Sequence, residues 1–353
     1  MIGAGSFGTA VAVLLTRAGL RTTLQARDPD RIRRLESERE NADYLPGVAL
    51  PRELRLEPVA RGVERADYVF LAVPSGSLPD LFSGLIGQLG TRAAVVSLIK
   101  GLVPPLGTPP TAELGDRFGA RRVACLAGPA HAHEMVQEGA GLVAASVHEE
   151  LARAVAQIFI SAGVVCEQSN DPLGVELAGA AKNAAALAAG ATEAQGFNAA
   201  GAAAGHIFAE VWRLAEARGA RPESMIGLAG TGDLVATVLA PRSRNRWAGE
   251  LLARGIPAAE IPAHIGQAIE ALDSVPLLGR ALEGAGIHAP VTTGLGRLIS
   301  GTLPLEEWVS LVRTTTPPPA RWRRRLFGGR PRGRDGWARR LRAWLRRLLG
   351  RGS

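Results

Sequence analysis

The sequence predicts an α/β protein in which a doubly wound parallel sheet is followed by an all-helical domain, and three observations lead there. A glycine-rich turn, Gly3-Ala4-Gly5-Ser6-Phe7-Gly8, opens an apolar helical stretch at the amino end. Apolar, β-branched runs then alternate with helix-like segments through the first half, which is the pattern of parallel strands with crossover helices. From Pro172 to Val312 the chain turns Ala-, Leu- and Gly-rich with helical spacing and no strand-like run. A length of 353 residues suits about two domains with ample core, and a 46% hydrophobic content is that of a globular chain.

Taken in order, the spacing Gly3, Gly5, Gly8 before a helix beginning near Thr9 matches the dinucleotide fingerprint: a tight turn, close backbone approach to a pyrophosphate, and helix packing on the sheet. Only Met1 and Ile2 precede it where a central strand of about five residues is expected, so this reading expects a truncated first strand. The second strand, Thr22–Ala26, leads into Gln25-Ala26-Arg27-Asp28. Arg27 stands where an NAD-binding protein usually carries an acid for the ribose hydroxyls and could neutralise a 2′-phosphate. That favours NADP, with NAD left open and an exposed arginine without ligand as the alternative.

Further strands are expected at Tyr68–Val73, Ala94–Ile99, Val123–Ala127 and Leu142–Val147. Lys100-Gly101-Leu102 follows one and Gly128-Pro129-Ala130 another, and in a parallel sheet both turns lie at the carboxyl edge, where ligands bind. Asp171-Pro172 is a helix start, with the carboxylate as N-cap and Pro in the first turn. The stiff segment TTTPPPAR at 314–321 ends the fold. The expected organisation is a dinucleotide-binding domain over 1–168, a helical substrate and catalytic domain over 169–316, and an Arg-rich tail over 317–353.

Of 41 basic side chains 39 are arginine, and the two lysines are Lys100 and Lys182, both in apolar segments. Arg is a planar fork that stays protonated, whereas Lys is a compact ammonium whose pKa falls readily on burial and which can donate a proton. The two lysines therefore read as parts of a site for a polar, anionic substrate, with chance survival of ordinary lysines as the alternative. Lys182 lies on a helix lined with Ala and Gly, where a small ligand can approach closely, and its ammonium suits a general acid.

Leu228-Ala229-Gly230-Thr231-Gly232-Asp233-Leu234 holds one acid in a Gly-rich turn. Ser243-Arg244-Asn245-Arg246 precedes the helical stretch Trp247–Ala253. Ser243 can cap that helix, and free amides near Arg244 and Asn245, completed by the Arg244 guanidinium, form a phosphate clamp. An ordinary polar cap would have the same sequence.

GAGSFGTA, the segment Asn41 to Tyr44-Leu45-Pro46, KGL, GPAHAHE, DPLGVELAGAAKN, LAGTGDLVAT, SRNR and GQAIE occur in the order and approximate spacing of the bacterial NAD(P)-dependent glycerol-3-phosphate dehydrogenase family, which residues 1–312 resemble. The resemblance implies a Rossmann domain, a helical domain like the C-terminal domain of 6-phosphogluconate dehydrogenase, and reversible reduction of dihydroxyacetone phosphate to sn-glycerol 3-phosphate, feeding glycerophospholipid synthesis in the cytoplasm. It gives Lys182 the catalytic position, with Asp233 orienting it. Substrate positions fall on Lys100, Gly128, Ala130, Lys182, Asp233, Ser243, Arg244 and Asn245. Cofactor positions fall on the glycine turn Gly3, Gly5 and Gly8, and on Ser6, Phe7, Arg27, Lys100, Ala132, Arg244 and Glu270.

The chain also departs from that family. Ala130 replaces a Ser or Asn, Ile99 a small hydroxyl residue, and Glu270-Ala271 the usual EG. Loss of one hydroxyl contact weakens substrate binding by roughly 0.5–1.5 kcal/mol. Two alternatives therefore stay open: a catalytically weak NADP-binding interaction protein of this fold, and a related two-domain dehydrogenase acting on another small phosphate or acid.

No metal is expected. His131, His133 and Glu134 have no further ligand nearby to complete a set, and ketone reduction with a lysine acid needs none. Cys125 and Cys166 offer neither metal spacing nor a disulfide framework and read as buried, reduced thiols.

Residues 317–353 carry thirteen arginines against Asp335, a charge of +12 within a chain total of +8, so residues 1–316 stand at −4. That balance disfavours nucleic-acid binding by the body, and none is expected. No apolar run is long enough to span a bilayer and no leader pattern opens the chain, so the expected location is cytoplasmic. In the tail Trp337, Leu341, Trp344, Leu345 and Leu348 fall on one helical face with arginines over the remainder, an amphipathic basic helix over about 337–349 suited to an anionic membrane surface. A disordered RNA-binding arm and docking on the acidic body are its alternatives. The expected partners are thus a small-molecule phosphate, anionic lipid at the inner membrane face, and a second copy of the chain in a homodimer.

Overall fold

The computed structural model describes residues 1–316 apart from 60–62, 86 and 241–242. The tail helix expected at 337–349 lies outside the described residues. Residues 1–315 form one compact unit.

The first half holds strands β1 (Thr23–Ala26), β2 (Glu40–Asn41), β3 (Leu45–Ala49), β4 (Arg55–Pro58), β5 (Tyr68–Leu71), β6 (Ala94–Ser97), β7 (Val123–Ala127), β8 (Gly141–Ala145) and β9 (Val165–Ser169). Helix α1 (Ser6–Arg17) precedes them, and between them run α2 (Pro29–Glu38), α3 (Leu78–Leu85), α4 (Pro110–Phe118), α5 (Ala132–Gln137) and α6 (Glu149–Ser161). In the sheet β4 pairs with β1, and β5 to β9 are neighbours in sequence order. Met1–Gly3 joins the two parts: Gly3 N donates to Gln25 O and Gln25 N to Met1 O, while Ile2 N donates to Phe70 O and Ala72 N to Ile2 O, all at 2.8–2.9 Å. The central position of the sheet is thus filled by a three-residue stretch whose Ile2 is paired on both sides.

One expectation is corrected. The strand foreseen at Leu142–Val147 is β8, and it runs antiparallel to β7 while pairing parallel with β9. Strand direction leaves no trace in side-chain period, and the short link from β7 through α5 brings the chain back beside the strand it has just left. The hairpin β2–β3 and the strands β4 and β9 were not foreseen. β4 (RLEP) and β9 (VCEQS) are edge strands with several charged or polar positions outward, so they lack a continuous apolar run.

From Pro172 the described chain is helical: α7 (Pro172–Thr192), α8 (Phe197–Ala217), α9 (Pro222–Ile226), α10 (Asp233–Leu239), α11 (Arg244–Ala253), α12 (Ile261–Ile265), α13 (Glu270–Gly284), α14 (Pro290–Ile299) and α15 (Leu305–Thr314). Asp171 starts α7 as expected, its Oδ1 accepting from Gly174 N at 2.8 Å, and its Oδ2 accepts from Arg221 N and Ser224 Oγ at 2.7 Å. Every residue of α7 from Gly174 to Thr192 is buried, because α8, α10, α11 and α13 pack around it. The small side chains make that possible. An added Cβ at Gly190 would stand 2.0 Å from Arg246 O, and one at Gly249 2.0 Å from Leu187 O, so α7 and α11 meet backbone to backbone. No single helix among the described residues is long and apolar enough to cross a membrane.

Candidate active site

The glycine turn fits a dinucleotide in the physical sense that its three glycines do different things. Gly3 has φ 108°, and a Cβ there would lie 2.3 Å from Ala72 O; one at Gly8 would lie 2.0 Å from Gly3 O. These two permit the turn and its seating on the sheet. Gly5 has open space where a Cβ would stand and begins α1 without a side-chain cap. The first-turn amides beyond it are thereby offered to an anion. Asn41 holds the turn from behind, its Nδ2 donating to Ala4 O at 2.9 Å and Thr9 Oγ1 at 2.7 Å. Arg27 is exposed directly after β1, whereas Arg31 is occupied, donating to Ala4 O and lying over the Tyr44 ring at 4.2 Å.

Lys100 leaves β6 and sets its Nζ 4.5 Å from the Phe7 ring centroid, so the glycine turn and the first lysine are neighbours. Burial pulls the Lys100 pKa below the ordinary lysine range. The charge of Lys182 lowers it further, against the opposing pull of Asp233 and Glu270, and Arg244 also lowers it. Charged side chains from α7, α10, α11 and α13 thus all act on Lys100, three residues beyond β6.

Lys182 is buried on α7. Its Nζ stands 3.1 Å from Asp233 Oδ2 and donates to Thr237 Oγ1 at 3.2 Å, and Thr237 Oγ1 donates to Asp233 Oδ1 at 3.3 Å. Asp233 is the first residue of α10, reached through a π-helical turn, Leu228–Gly232. A Cβ at Gly230 would stand 2.0 Å from Met225 O, so the Gly-rich sequence serves the tight turn that delivers this acid to the lysine.

Ser243 caps α11 as expected, its Oγ accepting from Arg246 N at 3.4 Å, but the helix starts at Arg244, three residues earlier than Trp247. Arg244 and Asn245 therefore stand in its first turn. Arg244 is exposed, and its NH1 donates to Gln267 Oε1 at 3.0 Å and Ala268 O at 3.1 Å. Gly128, with φ 138°, lies against Gly141 O at the carboxyl end of β7; Ala130 is buried just after it and Ala132 opens α5.

Two members of the cluster were missed. Asn183 donates through Nδ2 to Lys100 O at 3.2 Å and Glu270 Oε2 at 3.0 Å, while its Oδ1 accepts from Asn245 Nδ2 at 2.8 Å. Thr237 completes the Lys182–Asp233 pair. Its signal was present, since it follows Asp233 by four residues and shares a helical face with it. Asn183, next to the lysine in a run of alanines, offered only its polarity.

His131 and His133 do not converge: their Nε2 atoms face Ala236 O at 3.4 Å and Pro46 O at 3.1 Å respectively. No cluster of three or more metal-ligating side chains occurs among the described residues. Cys125 and Cys166 are free and buried, and burial raises both thiols, Cys166 to about 12. A surface cavity of about 610 Å³ lies elsewhere, lined by Val143, Glu167, Arg221 and Leu228 among others, and contains none of the clustered charges.

A mostly parallel sheet with a dinucleotide-type glycine turn, joined to a helical domain that contributes a buried lysine–aspartate pair and a serine-capped helix start, is the architecture of a two-domain nicotinamide-dependent dehydrogenase. Residues 1–152 match the N-terminal and residues 171–310 the C-terminal part of the NAD-dependent glycerol-3-phosphate dehydrogenases, and the chain belongs to that family. Glycerol-3-phosphate dehydrogenase [NAD(P)+] of Deinococcus radiodurans is 38% identical over 340 residues, covering 94% of this chain and 95% of the relative. The enzyme of the same name from Frankia casuarinae is 36% identical over 90% of this chain and 96% of its own length. The crystal structure of glycerol-3-phosphate dehydrogenase from Coxiella burnetii superposes with a TM-score of 0.84 at 27% identity, covering 89% of this chain and 98% of that one.

Proposed function

We propose that the chain reduces dihydroxyacetone phosphate to sn-glycerol 3-phosphate, reversibly and with NAD(P)H, and so feeds glycerophospholipid synthesis. The observation that carries this is the buried Lys182–Asp233–Thr237 cluster, joined through Asn183 to the first turn of α11.

Gly3, Gly5, Ser6, Phe7 and Gly8 would hold the cofactor, with Arg27, Lys100, Ala132, Arg244 and Glu270. Arg27 supports NADP over NAD, because it is exposed beside β1 and has no acid in place of it. When bound, the reduced nicotinamide supplies a hydride to the ketone carbon. Arg244 and Asn245, with the Ser243-capped turn, bind the phosphate. Lys100 and the Gly128–Ala130 loop hold the substrate oxygens. Lys182 stabilises the developing alkoxide and gives it a proton from Nζ, and Asp233 and Thr237 fix the direction of that ammonium.

Purified protein mixed with NADPH should consume it only when dihydroxyacetone phosphate is added. No consumption, with NADPH still binding, would favour the weak NADP-binding protein instead. The homodimer is proposed on the resemblance alone, and light scattering at the mass of one chain would refute it.

The basic stripe at 337–349 supports a second, independent proposal, that the tail holds the enzyme at anionic lipid. Deleting 317–353 should leave activity intact and abolish co-sedimentation with anionic liposomes. Full-length protein that fails to bind such liposomes at low salt would overturn it.

A further inference from the structure

Resting on the assignment of Lys100 to the substrate site, we propose that Glu176 is a positioning residue for Lys100, strapping the far end of the loop that carries it onto α7.

The loop carries Lys100 three residues beyond β6 and ends in the first turn of α4 at Thr111. Two side chains of α7 hold its ends. Asn183 donates to Lys100 O, and the Glu176 carboxyl accepts from Thr111 N at 3.0 and 3.1 Å through its two oxygens and from Thr111 Oγ1 at 2.6 Å. Seven residues separate Glu176 from Asn183, so they lie two turns apart on one face of the helix that bears Lys182. Between the ends, Leu102 is buried in the helical core, Arg280 Nε donates to Pro105 O at 3.0 Å, and Gly107 lies so close to α13 that a Cβ would stand 2.6 Å from Leu277 O. The loop thus packs on both sides, Val103 in the core beside the sheet and Leu102 and Gly107 against the helical domain.

Glu176 also replaces a missing cap. Pro109 precedes α4 and provides no side-chain acceptor, and the carboxyl from α7 takes over the amide of Thr111. It does so while buried and without a cationic partner among the described residues; Cys125 is an ionisable neighbour, its thiol raised in part by the Glu176 charge. Such burial costs stability. A surface cap would secure α4 more cheaply, but it would not tie the loop to α7.

The test compares kcat and KM for dihydroxyacetone phosphate in the full chain. Glu176→Leu should raise KM about tenfold or more, the scale expected for a displaced binding group. Thr111→Val should move it the same way by less, and the double variant should be no worse than Glu176→Leu. Glu176→Gln, which keeps an acceptor for Thr111, should stay within about threefold of the parent. In a Lys100→Ala background Glu176→Leu should add less than about twofold. Unchanged KM in Glu176→Leu with only a lowered melting temperature, or losses that multiply in the double variants, would overturn the strap. Should Glu176→Leu not fold, an unchanged KM in Thr111→Val would do so. Unchanged KM in Lys100→Ala would instead refute the site assignment on which the strap rests.

Discussion

Asn183 Oδ1 accepts from Asn245 Nδ2 at 2.8 Å, a side-chain bond from the lysine-bearing helix α7 to the first turn of α11. With its other end on Lys100 and Glu270, Asn183 is fully buried and meets three parts of the site at once. Asn183→Leu keeps the volume but strands the Asn245 amide and the Glu270 carboxylate. We expect a loss of about 2–3 kcal/mol in denaturant unfolding and a raised KM for the phosphate substrate. A variant with parental stability and KM would show that Asn183 only fills space.

The glycine turn yields a paired prediction. Gly3→Ala places a methyl against the Ala72 carbonyl at a φ unfavourable to other residues and should lower the melting temperature clearly. Gly5→Ala meets open space and should alter stability by less than about 0.5 kcal/mol. It should nevertheless weaken NADPH binding, because the added methyl occupies the path of the pyrophosphate. Equal melting temperatures for the two variants would contradict this division of roles.

Arg27→Ala should weaken NADPH while sparing NADH, since only NADPH carries a 2′-phosphate. Fluorescence titration with the two cofactors measures it. An equal loss for both would make Arg27 structural and remove the argument for NADP.

Glu176 gives stability a pH dependence. Burial raises its pKa from 4.5 to about 8, over the opposing hydrogen bonds from Thr111. The folded state therefore keeps a proton that the unfolded chain releases, so its contribution is fully present below pH 4.5 and is lost as pH rises through about 8. Glu176→Gln cannot ionise, and its unfolding free energy should fall less than the parent's between those limits. Parallel pH profiles for the two proteins would contradict the assignment.

What was legible in the sequence had a local cause. The Gly3, Gly5, Gly8 spacing, the Asp171 and Ser243 caps and the two isolated lysines each depend on chemistry within a few residues, and each led to a definite position. What was not legible depends on partners distant in the chain. The reversed direction of β8 is set by its neighbours, and β4 and β9 are half-polar edge strands without an apolar run. Asn183 and Glu176 read as ordinary polar residues in an alanine-rich helix, because Lys100, Asn245, Glu270 and Thr111, which give them meaning, arrive from elsewhere in the fold.

The central claim is that Lys182 donates the proton. Lys182→Arg keeps the positive charge but replaces a compact ammonium with a planar guanidinium that does not give up its proton. In steady-state reduction of dihydroxyacetone phosphate, turnover should fall by at least about a hundredfold while the NADPH dissociation constant stays within about twofold of the parent. Turnover equal to the parent's would contradict the account.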